Sequence, residues 1–149
     1  MGISNVDFEE KNFLELFLAI TVLNNEDIVV KQEEMEKKLY KYIEDFKYRF
    51  LFINIDFDDN SKTVDLDFAF KYSLSFGLIN YLDEKKEKNI INLTEYQAKE
   101  RLKKYNEYQI KAMNDICSDY YKTNDNVKLK VKNNYWFYKE NIWWNFMIT

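Results

Sequence analysis

From Val64 to Leu78 the apolar residues fall at every second position: Val64, Leu66, Phe68, Phe70, Tyr72, Leu74, Phe76 and Leu78, with Asp65, Asp67, Ala69, Lys71, Ser73, Ser75 and Gly77 between them. A helix would spread this set around its circumference, whereas a strand gathers it on one side. The spacing therefore predicts an extended segment over residues 64–76, with Phe68, Phe70, Tyr72 and Leu74 sharing a buried face. Residues 48–57 read as the strand before it, joined through the polar run Asp58, Asp59, Asn60, Ser61, Lys62. Gly77 marks a bend in the long strand, and a second hairpin follows, with strands over 78–82 and 89–93.

Elsewhere the period is helical. Residues 7–24 predict a first helix that is apolar on nearly every side (Phe13, Leu14, Leu16, Phe17, Leu18, Ile20, Val22, Leu23), which implies burial between other elements. Residues 31–47 predict a second. Its Met35, Leu39, Tyr42, Ile43 and Phe46 recur at three and four, and Glu33, Glu34 and Glu36 lie near its start, where the helix dipole favours acids. Thr94 and Gln97 form a capping-box pattern that opens a third helix over residues 94–122. Val127, Leu129 and Val131 then alternate with lysines, and two more strands are expected over 135–139 and 142–148.

The sum is an α+β protein of one domain, in the order ααβββαβββ, with helices packed on a mainly antiparallel sheet. One rival parse competes. If residues 65–78 were helical, the hairpin over 78–93 would become a wing beside helices, and the chain would resemble a winged helix-turn-helix protein.

Composition narrows the chemistry. The 149 residues contain no histidine, no proline, two glycines and one cysteine. Without an imidazole base, Ser-His-Asp and Cys-His nucleophile systems are excluded. With glycine only at Gly2 and Gly77, so are phosphate-cradling glycine loops. Metal sites built on imidazole or several thiolates fall for the same reason, and no cofactor is expected. Cys117 reads as a small buried hydrophobe in a reducing compartment. The net charge is −4, with arginine only at Arg49 and Arg101, which weighs against nucleic acid as a partner. An A+T-rich coding sequence would produce the same skew towards Lys, Asn, Ile, Tyr and Phe.

No segment reads as a membrane span or a basic signal peptide: the stretch 13–23 is interrupted by Glu15 and Thr21. Gly2 suits N-myristoylation, but Val6 stands where Ser or Thr belongs. A cytoplasmic protein without a membrane partner is the expectation.

Two clusters remain as candidate sites. Asp56, Asp58, Asp59, Asn60, Asp65 and Asp67 surround the first hairpin turn, and Asp56, Asp58 and Asn60 match the first, third and fifth positions of a calcium loop. Ser61 replaces its glycine and Asp67 its terminal glutamate, so the match fails there and a turn-forming role is expected. A carboxylate- or metal-dependent hydrolase centred on this hairpin is one alternative function. The second cluster is C-terminal, where both strand parities carry large apolar groups. Ile142, Trp144, Phe146 and Ile148 suit a core face. Trp136, Tyr138, Trp143 and Met147 then form a partner-binding surface, since Trp and Tyr concentrate at interface hot spots. The profile is similar to that of immunity proteins of bacterial toxins and phage-encoded inhibitors of defence systems. It predicts a small non-enzymatic module that occupies another protein's surface, with a winged-helix nucleic-acid binder as the other alternative.

Overall fold

A computed structural model describes residues 8–122. Five helices and short antiparallel strands make an α+β fold. Helix α1 (Glu10–Leu23) is its axis. Glu9 and Asn12 cap it reciprocally, the Asn12 side chain accepting the Glu9 amide at 3.1 Å. Phe13, Leu14, Leu16, Phe17, Leu18, Ala19 and Ile20 are all fully buried, as its all-round apolar pattern requires. At roughly 1.5–3 kcal/mol for each buried large side chain, this helix dominates the core. Helices α3 (Asp67–Ser75), α4 (Glu95–Leu102) and α5 (Glu107–Tyr120) pack around it.

Strand β1 (Val29–Val30) leads into α2 (Gln32–Leu39), and two single 3-10 turns follow at Tyr40–Tyr42 and Phe46–Tyr48. A two-stranded ribbon of β2 (Phe57–Asp58) and β3 (Thr63–Val64) precedes α3, and β4 (Ile79–Tyr81) and β5 (Asn89–Ile91) form a hairpin after it. The β5 strand lies between β1 and β4 in a three-stranded sheet, with Val30 opposite Asn89 and Asn80 opposite Ile90. The buried apolar residues of all these elements form one core cluster.

Four expectations are corrected. The extended segment over 64–76 is a strand only at Thr63–Val64, and Asp67–Ser75 is helical. Its buried positions, Leu66, Ala69, Phe70 and Ser73, recur at three and four, and the large side chains of Phe68 and Phe76 face solvent instead. Phe68 and Phe70 therefore do not share a face. Small residues at 69 and 73 make the inner side of the helix, and counting them as polar produced the two-residue alternation. Of residues 48–57 only Phe57 is in a strand, and 48–54 form turns, because Tyr48, Leu51, Phe52 and Ile55 enter the core at helical spacing. The second helix stops at Leu39 and continues only as 3-10 turns. The third is two helices: Asn106 accepts the Gln109 amide at 2.8 Å and the Gln109 side chain accepts the Asn106 amide at 3.0 Å, a second capping box that starts α5 afresh. Among the described residues the ααβββα part of the expected order gives way to α1, β1, α2, β2, β3, α3, β4, β5, α4, α5, whereas the strands expected over 127–131, 135–139 and 142–148 lie outside the described residues.

The second hairpin lies where the sequence predicts it, as do α1, the Thr94 cap (Gln97 amide to Thr94 Oγ1, 3.1 Å) and the buried Cys117. Few glycines serve the turns. Gly77, at φ 74°, ends α3, but Asn25, Lys62 and Lys86 adopt left-handed conformations at φ 57°, 56° and 60°. Among the described residues no helix is long and apolar enough to cross a membrane.

Candidate partner-binding face

The residues expected to form a C-terminal binding surface, Trp136, Tyr138, Trp143 and Met147, lie outside the described residues, as do their proposed core counterparts.

The acidic hairpin is within them, and the carboxylates of Asp58, Asp59 and Asp65 are occupied locally. Asp58 Oδ1 accepts the Asn60 and Ser61 amides at 2.9 and 3.4 Å, an Asx turn that closes β2 onto β3; the Ser61 side chain foremost, and then these two amides, hold the Asp58 carboxyl below its ordinary range. Asp59 accepts the Tyr40 hydroxyl, which pushes that phenol up to about 12. Asp65 accepts the Asp67 amide at 3.1 Å and so opens α3. Among the described residues no group of three acidic or cysteine side chains is placed to hold a metal ion. Turn and cap contacts thus account for Asp58 and Asp65, and a tyrosine hydroxyl for Asp59.

A second carboxylate cluster lines an open cleft of about 400 Å³ between the 3-10 turns and α5. There Asp119 accepts the Tyr42 hydroxyl and pairs with Lys41 at 2.9 Å. Both interactions hold Asp119 low, Tyr42 foremost, while burial, followed by the Asp119 bond, pushes Tyr42 up. This arrangement ties the turns to α5.

The outer side of α3 is different in kind. Phe68, Tyr72 and Phe76 follow one another at four-residue spacing, so they form a ridge along the helix. Their ring centroids lie 6.1 Å apart between Phe68 and Tyr72 and 4.6 Å apart between Tyr72 and Phe76. Phe68 is 62% exposed and Phe76 66%, whereas Tyr72 lies partly beneath the Lys11 ammonium, 5.2 Å from its ring centroid. Lys71 and Asp67 flank the ridge as an i,i+4 pair at 2.9 Å; the shared hydrogen bond raises the lysine and lowers the aspartate. Beyond lies β4, which leaves Tyr81 and the adjoining Leu82 exposed.

Helix α2 fixes the ridge from below. Glu36 Oε2 accepts the Leu66 amide at 2.9 Å and Gln32 Nε2 at 3.2 Å, and Gln32 also reaches Asp67 Oδ1 at 3.3 Å. The ridge thus stands on a helix whose first turn is held by side chains of its neighbour. Sequence reading missed it by assigning Phe68 and Tyr72 to a buried strand face. The available signal was the helical spacing of Leu66, Ala69, Phe70 and Ser73. No family model matches the chain, and neither a curated protein nor a solved structure matches it.

Proposed function

We propose that this protein is a non-enzymatic binding module that docks another protein through the aromatic ridge of α3, in the manner of an inhibitor or immunity protein. The observation that carries this reading is the exposure of Phe68 and Phe76 on a short, firmly anchored helix. Aromatic side chains in such a row suit an apolar groove, where each anchor is worth about 2 kcal/mol or more at a hot spot. A rigid support matters because little conformational freedom is then lost on docking. Trp136, Tyr138, Trp143 and Met147 belong to the same proposal as a further aromatic contact set. A cytoplasmic setting fits a single cysteine that is buried.

The hairpin that follows α3 favours a second reading, winged-helix nucleic-acid binding by α3 and β4–β5. Charge argues against it. The outer side of α3 offers Lys71 paired to Asp67, and the hairpin tip sets Lys85, Lys86 and Lys88 against Asp83, Glu84 and Glu87. Affinity for phosphate backbones needs a surplus of cations that this face lacks.

The test compares the native chain with a Phe68→Ala/Phe76→Ala variant as baits in nuclease-treated lysate of the cells that make it, alongside anisotropy titrations with labelled duplex DNA and RNA. A protein retained by the native chain and lost by an equally stable variant is the expected result. Saturable nucleic-acid binding at physiological salt, with no protein dependent on the ridge, transfers the function to the second reading.

A further inference from the structure

The segment between α2 and α3 carries a second exposed apolar surface, separate from the α3 ridge. Within residues 45–55 both sides of the turns are apolar. Tyr48, Leu51, Phe52 and Ile55 enter the core, while Phe46, Phe50 and Ile53 stand outward, 77%, 64% and 68% exposed. The outward set keeps the same three-and-four spacing, so it is a continuous strip and not a scatter of single exposed side chains. Arg49 lies within it. Its guanidinium stacks 5.1 Å from the Phe46 ring centroid and 5.3 Å from that of Phe50. Tyr108 of α5 borders the strip edge-on to Phe50 at 6.4 Å and donates its hydroxyl to the Lys47 carbonyl at 3.0 Å, which fastens the segment to the helix.

Two charges on this strip lack each other. Among the described residues Arg49 forms no salt bridge, and Asp45, four residues before it, caps the Lys47 amide, borders the cleft beside Asp119 and forms no salt bridge either. A surface with apolar centre, one stacked cation and one carboxylate is complementary to itself. A two-fold axis lying between positions 45 and 49 would set Arg49 of each copy against Asp45 of the other and bring the phenylalanines together across it. The area suits a weak dimer. Aromatic side chains bury about 150–250 Å² each when fully covered, so the exposed parts of Phe46 and Phe50 supply roughly 200–350 Å² per copy, to which Ile53 and Arg49 add. Two such strips bury at most on the order of 1,000 Å², the size of a transient contact.

We propose that the strip formed by Phe46, Arg49, Phe50 and Ile53 is the contact through which two copies of this chain form a two-fold homodimer. The contact leaves the α3 ridge free, so its failure and that of the binding function are told apart.

Sedimentation velocity of the full chain from micromolar to near-millimolar concentration tests it. A reversible monomer–dimer equilibrium is expected, weakened more than tenfold by Phe50→Glu and by Arg49→Asp. The double reversal Asp45→Arg/Arg49→Asp should regain most of the association lost by Arg49→Asp alone. Circular dichroism identifies any variant that fails to fold, and Phe50→Glu, which alters an exposed side chain with no capping role, keeps the test decisive. A chain monomeric throughout, or a dimer indifferent to Phe50→Glu and Arg49→Asp, overturns the proposal. So does one abolished only by Phe68→Ala/Phe76→Ala.

Discussion

Glu36 of α2 and Leu66, the residue before α3, are joined by a 2.9 Å hydrogen bond from the Leu66 amide to Glu36 Oε2. The bond satisfies one of the amides that a helix start leaves without an intrahelical acceptor. Leu66 offers no capping oxygen of its own, so a neighbouring helix supplies one. Glu36→Ala should therefore cost about 1–3 kcal/mol, the penalty for leaving such a group without its partner. Glu36→Gln, which keeps an acceptor, should cost less. Denaturant melts of the two variants measure the difference.

The helical state of residues 67–75 makes a sharp prediction for two phenylalanines. Phe70 is buried in the core and Phe68 faces solvent. Phe70→Ala should lose about 3–5 kcal/mol through the cavity it leaves, and Phe68→Ala within about 0.5 kcal/mol of none. On an extended segment the two would share a face and lose comparable amounts. Equal losses in urea melts would restore the strand.

Glu15 predicts the behaviour in acid. Its carboxylate is buried on α1 and accepts the Tyr105 hydroxyl, an Arg101 N–H and, at 2.9 Å, the Lys104 ammonium. Burial alone would raise its pKa and is the largest single influence, but the bonds from Tyr105, Lys104 and Arg101 together outweigh it and hold the group below 4.5. A lowered carboxyl stabilises the fold above its unfolded pKa, and that contribution disappears as pH falls through the folded value. The native chain should lose stability below about pH 4.5 more steeply than Glu15→Gln, which has no proton to take up there. At neutral pH, Glu15→Leu should cost about 2–4 kcal/mol. Arg101 and Lys104 keep enough solvent contact to soften the loss of a wholly buried partner. Melts at stepped pH check both statements.

How much of this was readable depended on whether one face of an element was continuous in sequence. Helix α1 was legible because nearly every position is apolar, and α4 because Thr94 and Gln97 announce its start. The β4–β5 hairpin was legible from its polar turn between short apolar runs. The Asn106–Gln109 cap was equally present, but the apolar periodicity ran on past residues 103–106 and concealed the break. The α3 ridge was hidden by Ala69 and Ser73. Residues this small can line a helix contact, yet an apolar–polar count places them on the solvent side. The strip around Arg49 shows the converse. Its outward phenylalanines continue the apolar pattern of the second helix, and only tertiary packing decides which of two apolar sides faces in. The C-terminal aromatic pairs fall outside the described residues.

The shortage of glycine leaves a mark on the backbone. Lys62 and Lys86 sit at φ 56° and 60° in the two hairpin turns, where a side chain on Cβ crowds the following carbonyl. That handedness costs an L-residue roughly 1–2 kcal/mol, and glycine escapes it while giving back about 0.5–1 kcal/mol in backbone freedom. Each turn thus holds a small unspent reserve in the chirality of one α-carbon. Releasing that strain with glycine would also remove the ammonium that lies 5.9 Å from the Tyr40 ring in one turn and 5.4 Å from the Tyr81 ring in the other, so the two lysines set turn handedness against aromatic stacking at the same positions.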